Sequence, residues 1–97
     1  MQVSVRFFTS LREIVNKKEE ILEFPGGKQV TVDLVLKTLT HRHGERFTEY
    51  VYDHQTGETK SFLQFLINGK STSTLNGLKT ELAHGDVLAI LPPVGGG

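Results

Sequence analysis

The sequence predicts an α+β domain in which one mixed sheet packs on one main helix. Three observations carry this expectation. Val3, Val5 and Phe7 alternate with Ser4 and Arg6, the two-residue period of a half-buried strand. Val32, Val35, Leu36 and Leu39 recur at helical spacing. Between and beyond them, Pro25-Gly26-Gly27, Asn68-Gly69 and Gly85-Asp86 supply turn chemistry that bounds further short apolar runs. With 97 residues the chain reads as a single domain over 1–97 with a modest core and no linker or repeat.

The first strand covers Val3 to Phe8. Ser10 then reads as the cap of a short helix, because Glu13 stands three positions later. Leu11, Ile14 and Val15 would line one side of that helix. Lys17-Lys18-Glu19-Glu20 reads as a solvated turn, and Ile21 to Phe24 as a second strand antiparallel to the first. Thr31 is placed to cap the main helix, and Gly44 to stop it beyond His43. Glu49 to Tyr52 reads as a strand, because Tyr50, Val51 and Tyr52 favour extended backbone. Asp53 to Gly57 forms a turn, Phe62 to Ile67 resumes the strand pattern, and Asn68-Gly69 turns the chain again. Leu75 to Leu82 reads as a compact segment with a single helical turn. Val87 to Leu91 is the last strand, and Pro92 ends it by lacking an amide donor.

Composition excludes several function classes. Eleven basic and eleven acidic residues cancel, which argues against a strongly basic nucleic-acid binder and leaves room only for a local basic patch. Cysteine is absent, so disulfides, thiolate metal sites and cysteine nucleophiles are ruled out. No apolar run is long enough for a membrane span, and the expected compartment is the cytoplasm. No serine sits in a nucleophile motif. His41 and His43 are two apart and would not share a helix face, while His54 and His84 fall in turns, so no metal site is expected. Gly26-Gly27-Lys28 and Asn68-Gly69-Lys70 lack phosphate-loop spacing. The chain shows no self-sufficient set of catalytic residues.

The end of the chain remains: Leu91-Pro92-Pro93-Val94-Gly95-Gly96-Gly97, a tail at 92–97 expected to be exposed. Pro92 and Pro93 favour an extended exit. Val94 is a lone apolar anchor, and Gly95 to Gly97 lack the side chains that would clash in a narrow channel. The reactive group would be the Gly97 carboxylate. It is a poor electrophile until adenylation turns it into a mixed anhydride. Sulfide or persulfide attack would then leave a thiocarboxylate, and lysine attack an amide. An inert glycine end is the competing reading.

Several stretches in order resemble the MoaD/ThiS family of ubiquitin-like sulfur carriers. They are Val5-Arg6-Phe7-Phe8 with Leu11-Arg12-Glu13, then Pro25, Val30-Thr31-Val32 and Leu39. Phe65-Leu66-Ile67-Asn68-Gly69 follows, then Leu82, Gly85-Asp86-Val87 and Ile90-Leu91-Pro92-Pro93-Val94 leading into Gly96-Gly97. Within the family, the small subunit of molybdopterin synthase and the archaeal small modifier proteins are the branches most resembled. The resemblance implies a β-grasp fold and a terminal glycine, Gly97, adenylated by an E1-like enzyme that supplies ATP and magnesium. It implies no cofactor bound by this chain. In the molybdenum-cofactor pathway the tail residues Pro92, Pro93, Val94, Gly95 and Gly96 would enter the large synthase subunit. There the Gly97 thiocarboxylate would donate sulfur to precursor Z, making this chain a non-catalytic subunit. That is the leading expectation. The runner-up is a protein modifier joined through Gly97 to target lysines; sulfur supply for thiazole or transfer-RNA thiolation is a third. Phe7, Phe65, Leu66 and Leu91 are candidates for docking a partner, with a core role the competing reading of each. Two departures stand out: Gly95, where another residue is common, and a longer segment from Glu45 to Ser61, which favours the archaeal modifier-like branch.

Overall fold

Strand β1 (Gln2–Phe7) buries Val3, Val5 and Phe7 and turns Gln2, Ser4 and Arg6 outward, as its alternation requires. The computed structural model of the protein describes residues 1–92; Pro93, Val94, Gly95, Gly96 and Gly97 lie outside the described residues. After β1 come α1 (Thr9–Val15), β2 (Glu19–Glu23), α2 (Val32–His43), α3 (Glu45–Val51), β3 (Gln64–Ile67), β4 (Lys70–Ser71) and β5 (Val87–Leu91). Two 3₁₀ turns, Thr72–Thr74 and Gly77–Lys79, lie between β4 and β5.

The strands form one sheet in the order β2-β1-β5-β3-β4. β1 and β5 run parallel at its centre, while β1 with β2, β3 with β5 and β3 with β4 are antiparallel. The longest helix, α2, packs on one face through Val32, Val35, Leu36 and Leu39, all buried. Thr31 caps it as expected, its Oγ1 accepting the Leu34 amide at 3.2 Å. The entry of α2 is further tied to the segment before β5 by Val32 N to Thr80 O at 3.1 Å and Leu82 N to Val30 O at 2.8 Å. Asn68 and Gly69 have φ of 50° and 85°, the double positive turn that a two-residue hairpin needs between β3 and the short β4.

Three expectations are corrected. Glu49 to Tyr52 is not a strand: Glu45–Val51 is helical, and only Tyr52 makes a single bridge, to Thr59. Phe47 and Val51 lie four apart and are both fully buried, so burying that helical pair overrides the extended preference of Tyr50 and Val51. Gly44, at φ 78°, ends α2 and also begins α3. The α1 cap is not Ser10. The helix starts at Thr9, with Phe8 in the capping position and no side-chain cap. The Phe8 carbonyl accepts from Leu11 and Arg12, which leaves Ser10 inside the helix. Finally, Glu19 and Glu20 belong to β2 rather than to a solvated turn, and Glu20 is buried.

Candidate functional site

β5 delivers the chain to its end. It lies between β1 and β3, and it is paired on both sides almost to its last residue, Phe7 opposite Ile90 and Gln64 opposite Leu91. Pro92 lacks an amide donor and ends the ladder, so β5 stops between β1 and β3 in the middle of the sheet.

The four docking candidates separate by strand parity. Phe7 and Phe65 point toward α2 and are buried, 0% and 5% exposed, so their side chains pack in the core. Leu66 and Leu91 take the opposite face and are half-buried. There Leu66 pairs with Ala89, and Val87 stands across Ser4 from Ile21, which is 56% exposed. The open face of the sheet thus carries Ile21, Val87, Ala89, Leu91 and Leu66 beside the point where the tail leaves. Sequence reasoning missed Ile21, whose neighbours Glu20 and Leu22 turn the other way.

On the buried side, the Glu20 carboxylate meets Arg42 Nη1 at 2.6 Å, His43 Nε2 at 2.7 Å and Lys17 Nζ at 3.8 Å. Burial pushes this carboxyl up. The hydrogen bonds from His43 and Arg42, with the charges of His43 and Lys17, outweigh that push and hold it below its ordinary value. The cluster pins the outermost strand to the end of α2. His43 also packs between Phe7 and Phe47, with ring centroids at 6.3 and 6.0 Å. An inward-facing carboxylate on an edge strand also discourages pairing with another chain. Elsewhere, Tyr52 buries its hydroxyl without a hydrogen-bond partner among the described residues. Burial, and then the charge of Asp33, pushes this phenol up. Among the described residues no group of three or more His, Asp or Glu could hold a metal ion, and no helix is long and apolar enough to cross a membrane.

A five-stranded mixed sheet with parallel central strands, one main helix across it and the C-terminus issuing from a central strand defines a ubiquitin-like β-grasp protein. The model of the ThiS family matches residues 5–97, and the chain belongs to that family, the ThiS/MoaD-like sulfur carriers. It is 32% identical over 97 residues to small archaeal modifier protein 3 of Haloferax volcanii, with all of both chains covered. The fold matches the crystal structure of SAMP1 from Haloferax volcanii with a TM-score of 0.80 at 28% identity, covering 100% of each chain. It also matches a putative molybdopterin converting factor, subunit 1, from Pyrococcus furiosus, with a TM-score of 0.73 at 28% identity, covering 97% of this chain and 99% of that one.

Proposed function

We propose that this protein is a ubiquitin-like modifier whose Gly97 is activated by an E1-like enzyme and joined to lysines of target proteins. The carrying observation is the end-to-end similarity to small archaeal modifier protein 3. In this reading the Gly97 carboxylate attacks the α-phosphate of ATP, releasing pyrophosphate and leaving an acyl adenylate. A lysine amine then attacks the carbonyl, AMP leaves, and an isopeptide bond forms. The enzyme supplies ATP, magnesium and catalytic groups. This chain supplies the tail from Pro92 to Gly97 and the apolar sheet face with Leu66 and Leu91, which would dock the activating enzyme.

A second reading is favoured by membership of the ThiS family and by the Pyrococcus furiosus relative. Sulfide attacks the same adenylate, AMP leaves, and a Gly97 thiocarboxylate forms; a persulfide would give an acyl disulfide, which a second thiol must reduce to release the thiocarboxylate. That group would donate sulfur within a synthase large subunit, as in molybdopterin synthesis. The two outcomes share the first step and differ in the nucleophile.

Intact and terminal-peptide mass spectrometry of protein purified gently from its own cells tests both. Gly97 linked to lysines of other proteins supports the modifier role. Replacement of one terminal oxygen by sulfur supports the carrier role. A chain lacking Gly96-Gly97 should fold normally and escape activation; adenylation of that truncated end would sink both readings.

A further inference from the structure

Where the end of β1 meets α1 and the start of β2 lies a recess of about 280 Å³ lined by Arg6, Phe7, Phe8, Arg12, Lys18 and Glu19. Three cations and one carboxylate meet there, in a chain whose formal charge is zero. Glu19 is engaged with Arg6 at 3.5 Å. Arg12 is held from two sides. Its Nε donates to the Phe7 carbonyl at 3.3 Å, and its guanidinium carbon lies 5.8 Å from the centre of the Phe8 ring. Its two terminal nitrogens make no hydrogen bond among the described residues. The backbone at Thr9, between these groups, has φ of 47°, a left-handed conformation unusual for a β-branched residue and the kind of outlier that gathers at functional sites. Because Phe7 stands opposite Ile90 in the parallel pair, β5 ends at Leu91 one strand away from the recess, on the other side of β1.

We propose that this recess receives a carboxylate side chain of the E1-like enzyme that takes up the tail; the proposal rests on the reading of Gly97 given above. A guanidinium already fixed through Nε presents a planar pair of donors, the geometry that matches a carboxylate with two parallel hydrogen bonds. Lys18 adds positive potential, which speeds encounter with an acidic surface. The phosphates of the nucleotide are a poorer occupant. They must sit at Gly97, and five extended residues beyond Pro92 span roughly 17 Å. The recess therefore reads the protein that holds the tail rather than the nucleotide at its tip.

The test is calorimetric titration of the full chain into its own organism's E1-like enzyme at low and moderate salt, with adenylation followed by mass. Arg12→Ala should weaken binding about tenfold or more, Arg12→Glu more still, and both should flatten the salt dependence. Arg12→Lys keeps the charge and the aliphatic stem but loses the planar fork. It should bind distinctly more weakly than wild type with an unchanged melting curve, which separates recognition from folding. If all three variants bind within about twofold of wild type at both salt concentrations while wild type is adenylated, the recess proposal fails and the tail reading stands. If wild type is neither bound nor adenylated, the tail reading fails and the recess proposal falls with it.

Discussion

Replacing Glu20 by Gln should destabilise the protein by about 2 kcal/mol at neutral pH. The side chain keeps its volume, so no cavity opens, but the charge is lost and one of the two close donors loses its acceptor. A hydrogen bond to a charged group is worth about 1.5–3 kcal/mol. Arg42 is 52% exposed and Lys17 46%, so water replaces much of what they lose, and their shares are discounted to those of surface pairs, under about 1 kcal/mol. His43 is only 15% exposed and cannot be rehydrated so easily. Its bond carries most of the total. For a domain of this size about 2 kcal/mol corresponds to a fall in Tm of roughly 8–16 °C. Urea and thermal unfolding of both proteins measure it. Acid supplies an independent arm. The Glu20 carboxyl lies below its ordinary value of 4.5 in the folded protein. Its contribution is therefore complete above that value and is lost as pH falls through the lower, folded one. The gap between wild type and Glu20→Gln should be present just above the ordinary carboxyl range and close below it. A gap under about 0.5 kcal/mol at neutral pH, or one that widens on acidification, would refute the account of the cluster.

Phe47→Ala should cost about 3–5 kcal/mol in equilibrium unfolding, because the ring is fully buried and is the main anchor of α3; a loss below about 1 kcal/mol would mean that α3 is not packed as described. Thr31→Ala removes the cap of α2 and should cost about 1 kcal/mol, with Thr31→Ser restoring most of it. Asn68→Ala should cost about 1–2 kcal/mol, since alanine tolerates the φ of 50° less well and loses the bonds to Asp86 Oδ1 (2.9 Å) and from the Val87 amide (3.0 Å). Amide exchange should then speed up at β4 and at the start of β5, and unchanged exchange there would contradict the turn's role. Leu66→Asp should leave the fold intact, because that side chain faces away from α2, yet weaken capture by the activating enzyme; equal affinity would remove the open sheet face from the docking argument.

Local pattern in the sequence was enough to place β1, the main helix with its Thr31 cap and Gly44 stop, the Asn68-Gly69 turn and the final strand ending at Pro92. Each depends on residues close together in the chain: a two-residue period, a 3.6-residue period, a capping hydroxyl, a turn that needs positive φ. The ordered matches to the ThiS/MoaD-like family, which run to the final glycines, pointed to the family and to Gly97 as the proposed reactive end, because that chemistry needs a carboxylate on a slender tail and little else. Long-range contact decided the rest. Tyr50-Val51-Tyr52 favours a strand by composition, but the core offered Phe47 and Val51 a deeper burial in a helix, and burial outweighs a propensity difference of under about 1 kcal/mol. Phe65 and Leu66 stand in one apolar run and are indistinguishable as exposed or buried until strand register assigns them opposite faces. Glu20 looks like any surface carboxylate in a charged run. It is buried because β2 pairs with β1 in a register that puts Glu20 opposite Val5, on the face where Arg42 and His43 arrive from 22 and 23 residues away. Sequence specifies which segments form strands and helices; which face each residue takes, and which charges meet inside, is set only when the sheet closes and the helices cover it.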